Sequence, residues 1–301
     1  NVLNKEVTIS DLVFMIGPRI NAAGRLEKAS DSVRLLIAER KEHAEKLASS
    51  INDLNVRRRE FDNKITEEAL QMIQQDEKLL QAKSTVIFNE NWHKGVIGIV
   101  ASRLTDTYYR PTIVLTRSNN LITGSARSIK NFDIYDAIDN CSDLLEHFGG
   151  HKYAAGLSLK PENLSEFSRR FEEYVSNNID KEELIPELNV DLEINFSDIT
   201  PKFVRVLKQF SPFGPGNMAP VFLSRNVIDS GSSRPVGGQE KKHLKLSMTQ
   251  KHDNNLILPG IAFQQGADYH RVNSKEPFSI CYCIEKNFWQ GKTNLQLNVK
   301  D

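Results

Sequence analysis

Between Arg25 and Lys94 the chain has neither glycine nor proline, and within that run Ala44, Leu47, Ile51, Leu54, Phe61, Ile65, Ala69 and Met72 recur at helical spacing, interrupted by Arg58. The spacing predicts one helix of about 35 residues, about 50 Å long at 1.5 Å per residue. Its stripe is too broken for sustained heptads, which favours a connecting helix over a coiled-coil arm. Beyond it the period changes. STVIFN (84–89) and PTIVLT (111–116) read as strands on either side of a helix over 96–104, a βαβ unit with parallel strands. A strand over 121–127 follows. Asp133 then reads as the N-cap of a helix whose apolar face is Ile134, Ala137, Ile138, Cys141, Leu144, Leu145 and Phe148, ended by Gly149-Gly150 as a left-handed cap. A strand over 154–159 and a helix over 164–175 complete an α/β domain.

The segment 177–186 is polar, ends in Pro186 and reads as a linker. From Leu188 the period is two, with Leu188, Val190, Leu192 and Ile194 on one face. Similar runs at 220–228, 243–248, 257–263, 278–284 and 294–299, separated by Gly, Asn and Pro, predict a small closed barrel. The fold class expected is therefore α/β plus all-β.

Composition narrows this only a little. A chain of 301 residues, 39% apolar and 26% charged, is an ordinary globular sequence of two or three domains. Lys plus Arg and Asp plus Glu number 39 each, so any nucleic-acid site must be a local patch. Three cysteines supply no disulfide framework and point to a reducing compartment, the cytoplasm by default. No run is long and apolar enough to predict a membrane span.

Four segments carry candidate chemistry. In NWHKG (91–95), between a strand and a helix N-terminus, Trp92 offers a stacking surface, His93 a donor and Lys94 a cation; the competing reading is a capped loop anchored by the tryptophan. In GSARS (124–128), small residues around Ser125 and Arg127 would let backbone and guanidinium approach a phosphate, although a plain turn reads the same way. GGHKYAAG (149–156) pairs Gly149, Gly150 and His151 with residues lacking bulk, as a phosphate or sugar seat requires. GPRINAAGR (17–25) places Arg19 and Arg25 among small residues in the same manner.

Zinc at His147 and His151 is disfavoured because the glycine pair breaks the helix that such spacing needs. Cys281-x-Cys283 reads as alternate strand positions. In the barrel, Lys241, Lys242, His243 and Lys245 with Phe288 and Trp289 form either a solvated edge or a single-strand-binding face. No catalytic triad, Walker loop or Asp/His metal set emerges. The pattern is one of anion recognition without a catalyst.

Taken in order, GPRINAAGR, NWHKGVIGIVASRL (91–104), GSARS, FGGHKYAAG (148–156), PFGPGN (212–217) and NFWQGKTNLQLNVKD (287–301) resemble the RecJ family of bacterial single-stranded-DNA-specific exonucleases, along the whole chain. The resemblance implies a tail of the catalytic DHH domain (1–40), a connecting helix (41–80), a DHH-associated domain with a mixed sheet (81–180) and an OB-fold barrel (187–301). The family's catalytic motifs, whose Asp and His residues hold two divalent metals, are absent from this sequence, and Asn1 reads as lying after them. No catalytic or metal residue is therefore expected here, and no cofactor; Mn²⁺ or Mg²⁺ would serve the full-length enzyme.

By the same resemblance, Ser125 and Arg127, with one or both of Arg19 and Arg25, would bind phosphate, and His151 with Gly149 and Gly150 would touch the strand near the cleavage site. The implied function is the substrate-binding part of a 5′-to-3′ exonuclease of DNA repair and recombination. Its partner would be single-stranded DNA, with a single-strand-binding protein and a helicase as further partners, and no membrane. Two rivals are an oligonucleotide or cyclic-dinucleotide phosphodiesterase, against which the barrel argues, and a non-catalytic single-strand-binding adaptor. A third reading gives the barrel to protein contacts.

Overall fold

The computed structural model describes residues 7, 9–238, 240–251, 253–289 and 292–301, excluding the side chains of residues 10, 253, 254, 288, 289, 292 and 293. The expected stacking role of Phe288 and Trp289 thus lies outside the described residues. The chain forms two compact units that divide after Pro186.

The first unit opens with α1 (Ile9–Asp11), which runs through a π-helical turn into α2 (Gly17–Leu26), then α3 (Ser30–Leu36) and α4 (Lys41–Gln75). The 35 residues of α4 match the expected length. Ala22 and Ala23 of α2 are fully buried against Ile51 and Leu54 of α4. The small residues of GPRINAAGR therefore allow close helix contact. Arg58, which interrupts the apolar stripe, faces the buried Asp62 one turn on, and Arg103 donates to the same carboxylate at 2.8 Å.

A short α5 (Glu77–Gln81) leads into the α/β part. Its elements are β1 (Thr85–Phe88), α6 (Ile97–Tyr108), β2 (Thr112–Ser118), β3 (Leu121–Arg127), α7 (Ile134–Asp139), β4 (Leu145–His151), β5 (Ala154–Leu159) and α8 (Leu164–Asn178). The sheet order is β1-β2-β3-β5-β4, with β1 and β2 parallel and the other pairs antiparallel, so the sheet is mixed. One face packs on α4 and α6 through Ile87, Val114, Ile65, Ile73 and Val100. The other packs on α7 and α8 through Ile113, Leu115, Phe167 and Phe171.

One expectation fails here. The helix begun at Asp133, whose side chain does cap the amides of Tyr135 and Asp136, ends at Asp139. Leu145–His151 is instead a strand paired with β5. Gly149 and Gly150 lie in that strand, where no left-handed helix cap exists. A Cβ on Gly150 would stand 2.3 Å from the Ala154 carbonyl oxygen, so a close strand approach, not a cap, demands glycine there.

The second unit contains β6 (Leu192–Glu193), α9 (Pro201–Gln209), β7 (Phe222–Asp229), β8 (Arg234–Val236), β9 (His243–Gln250), β10 (Asp253–Ala262), α10 (Tyr269–Val272), β11 (Phe278–Trp289) and β12 (Lys292–Val299). The order β7-β11-β12-β10-β9, with β9 returning to β7 and β10 parallel to β12, closes a five-stranded barrel of OB type. Its core includes Phe196, Phe222 and Tyr282; the Tyr282 hydroxyl, 2.8 Å from Ser224 Oγ, is pushed up to about 12 by burial. The period-two run from Leu188 does not build that core. Leu188, Val190 and Leu192 are exposed and only Ile194 is buried, because β6 pairs for just two residues.

Candidate functional site

Strand β3 separates two sets of side chains by its pleat. Ile122, Gly124 and Ala126 turn into the core against α7 and α8, whereas Thr123, Ser125 and Arg127 turn toward α6. Helix α6 comes this close because Gly98 has no side chain: a Cβ there would lie 2.9 Å from Ser125 Oγ and 3.1 Å from an Arg127 terminal nitrogen. Among the described residues Arg127 is thereby held by neutral acceptors, donating to Ser125 Oγ (3.0 Å), Ser102 Oγ (3.2 Å) and the Ala126 carbonyl (2.7 Å).

Arg25 enters from the end of α2, its guanidinium donating to the Gly95 carbonyl at 3.1 Å. With Lys94, Gly95, Gly98, Thr123, Ser125 and Arg127 it lines an open cleft of 410 Å³ in which, among the described residues, no acidic side chain takes part. Burial, then the like charge of Arg25, depresses the Arg127 pKa below the ordinary guanidinium range. Two arginines brought together without a carboxylate are an energetic debit that a bound dianion would relieve.

The cleft floor extends across the sheet. Register places Ser125, Gly156 and Gly149 in one row and Arg127, Ala154 and His151 in the next. Directly opposed residues share a face, so His151 stands on the Arg127 side, about 10 Å away across two strand spacings. A Cβ on Gly149 would meet nothing within 4 Å, which leaves the floor between Arg127 and His151 open.

Arg25, Lys94, Ser125 and Arg127 thus converge, and Gly149 and His151 continue the same face. Other expected site residues do not join them. Arg19 turns away from the cleft, to the Met15 carbonyl at 2.6 Å and Asn52 Oδ1 at 3.2 Å. Trp92 offers no stacking surface: its ring is buried in the α4–α6 core and its Nε1 donates to Glu68 at 2.8 Å. Gly150 points to the opposite face by strand alternation.

His93 acts on the loop itself. Its Nδ1 accepts the Gly95 amide at 3.1 Å, its ring stacks on Phe61 at 5.4 Å, and burial, followed by the charges of Lys94 and Arg57, lowers its pKa. The amides of Gly95, Val96 and Ile97 are all taken up by His93 atoms, so the positive charge facing the cleft comes from side chains rather than from these amides. Sequence reading missed Gly98 and Ser102, which share the α6 face toward Arg127. The signal was their separation by four residues on one helix.

On the second unit, Val236, Lys245, Pro259, Ile261, Phe263 and Leu295 are among the residues lining a shallow groove of 610 Å³ outside the barrel. Phe263 is half exposed and meets the His243 ring edge-on at 5.3 Å. Lys242 is ion-paired with Glu240 and does not line this groove. Among the described residues no three His, Cys, Asp or Glu side chains gather as a metal site requires. Among the described residues the donor set does not fit a divalent-metal centre. No helix among the described residues is long and apolar enough to cross a membrane.

Comparison with known proteins agrees with this architecture. Residues 78–177 match the DHHA1 domain and residues 190–301 the RecJ OB domain. The chain is 35% identical over 290 residues to the single-stranded-DNA-specific exonuclease RecJ of Bacillus subtilis, covering 96% of this chain and 36% of that protein. It is 33% identical to RecJ of Haemophilus influenzae, covering 98% and 52% respectively. The crystal structure of Thermus thermophilus RecJ in complex with Mn²⁺ superposes on all of this chain and 42% of its own, with TM-score 0.83 and 26% identity. The chain therefore spans between about a third and about half the length of these relatives.

Proposed function

Because the chain belongs to the RecJ family of single-stranded-DNA-specific exonucleases over the span it covers, we propose that it is the substrate-holding part of a 5′-to-3′ exonuclease. Arg25, Lys94, Ser125 and Arg127 take the terminal 5′-phosphate. The strand then crosses the Gly149–Gly156 floor toward His151, and the barrel groove beside Phe263 holds following nucleotides by stacking and charge. The observation that carries the reading is the carboxylate-free pairing of Arg25 with Arg127.

In this reading residues 1–40 complete a catalytic domain, 41–80 connect it, 81–180 hold the end of the strand and 187–301 hold its track. Hydrolysis belongs to the rest of the full-length protein, where Mn²⁺ or Mg²⁺, held by the solved Thermus relatives, would activate water. This span alone binds and does not cut. The cellular setting is cytoplasmic DNA repair and recombination, with a single-strand-binding protein and a helicase as partners. The free cysteines at 141, 281 and 283 suit that compartment.

The test compares oligonucleotides bearing a 5′-phosphate or a 5′-hydroxyl. Arg127→Ala should lose about 10- to 100-fold in affinity for the phosphorylated strand, as one or two charge-assisted bonds vanish, and little for the other. Equal losses on both would reject end recognition. Metal-dependent nucleotide release by the purified chain would reject the claim that this span does not cut.

A further inference from the structure

Helix α9 and the PFGPGN loop after it belong to neither site described above. The helix is set by its own signals: Thr200 Oγ1 accepts the Phe203 amide at 3.2 Å, and Pro201 occupies the first turn. Phe203 and Leu207 lean on the barrel core. Lys202, Arg205 and Lys208, three residues apart, are all exposed on the outward arc, and α9 carries no acidic residue. None of the three has an ion-pair partner among the described residues. From Lys202 to Lys208 the axial rise is about 9 Å, within reach of two successive phosphates of a strand.

The loop adds aromatic surface. Asn217 Nδ2 donates to the carbonyls of Phe210 (2.8 Å) and Pro212 (3.0 Å), and Gly214 and Asn217 exchange backbone bonds at 2.8 Å each. This bonded loop nevertheless leaves Phe210 61% and Met218 73% exposed. Apolar side chains displayed on a backbone so firmly tied are a contact surface.

We propose that the outward face of α9, with Phe210 exposed just beyond the helix's C-terminal end, is a second single-strand seat, separate from the Phe263 groove. The three cations track phosphates while the Phe210 ring stacks on a base. The choice of nucleic acid follows from charge: cations without carboxylate partners among the described residues, with an exposed ring at the end of the same helix, match a polyanion with aromatic faces. The inference rests on the reading that this chain holds single-stranded DNA.

The experiment titrates the full chain with labelled oligothymidylate over a range of salt. Replacing Lys202, Arg205 and Lys208 together by Gln, which keeps helix propensity, should weaken binding at least about tenfold and flatten the log–log salt slope by about two. Lys202→Arg with Lys208→Arg should keep wild-type affinity and slope. Phe210→Ala should lose about fivefold or more with the slope unchanged, and Phe210→Trp should show indole quenching on binding. Unaltered affinity and slope in the Gln variant, with 5′-phosphate discrimination intact, would overturn this seat and leave the end-binding cleft standing. Unaltered oligothymidylate binding with lost capture of a polyglutamate probe would transfer the surface to an acidic protein. A wild-type chain that binds no oligothymidylate would sink both readings together.

Discussion

Arg25 and Gly95 lock the end of α2 to the loop before α6: the Arg25 guanidinium bonds the Gly95 carbonyl at 3.1 Å, and the Gly95 Cα packs against the Arg25 main chain. A Cβ at position 95 would stand 2.0 Å from the Arg25 carbonyl oxygen. Backbone cannot swing aside as a side-chain tip can. Gly95→Ala should therefore lower stability by about 1–3 kcal/mol in denaturant titration and weaken 5′-phosphate preference by moving Arg25. A variant as stable and as discriminating as wild type would disprove the packing account.

Asp62 is 1% exposed and sits between Arg58 and Arg103, tying α4 to α6. Asp62→Ala leaves one nearly buried guanidinium unpaired and releases another that is 48% exposed. The expected loss is about 2–3 kcal/mol, below that of a fully buried pair because Arg103 regains water. Asp62→Asn should lose less by keeping an acceptor. Equal losses in the two variants would show that the retained acceptor contributes nothing and that the lost charge accounts for the whole effect.

His93 gives the first unit a dependence on acid. Its folded pKa is lowered from 6.5, by burial first and then by Lys94 and Arg57, so the native state favours the neutral ring whose Nδ1 accepts the Gly95 amide. The unfolded chain therefore takes up the proton more readily. Stability is full above the unfolded value, falls as pH drops below about 6.5 and levels off beneath the lowered folded value. Thermal midpoints between pH 7.5 and 5 should decline in wild type and decline less in His93→Asn. Parallel declines would acquit His93.

Trp92 and Phe263 should behave oppositely. Trp92→Phe removes the bond to Glu68 and should cost about 1–2 kcal/mol of stability with oligonucleotide affinity unchanged. Phe263→Ala removes a half-exposed ring and should weaken single-strand binding about fivefold or more with little change in stability. Reversal of either pair of effects would exchange their roles.

Long-range geometry separates what could be read along the chain from what could not. The 35-residue α4, the βαβ unit and the barrel strands announce themselves because periodicity and turn residues act locally. The helix foreseen through Phe148 stops at Asp139: Leu145 and Phe148 pack on the core from a strand instead, and pairing with β5 settles the matter. Ser125 and Arg127 were legible as an anion seat since small residues around one cation are a local signal. Whether Arg19 or Arg25 joins them depends on where α4 and α6 lie, which neighbours in sequence do not encode. Trp92 likewise turns inward because Glu68 waits 24 residues upstream.

The alternation along β3 binds ligand recognition to foldedness. One codon inserted between Leu121 and Gly124 would rotate Ser125 and Arg127 into the apolar interior and expel Gly124 and Ala126 onto the solvent side. Heritable length changes in this module must therefore accumulate in its turns, such as the one at 119–120, while the strand itself can change only residue by residue.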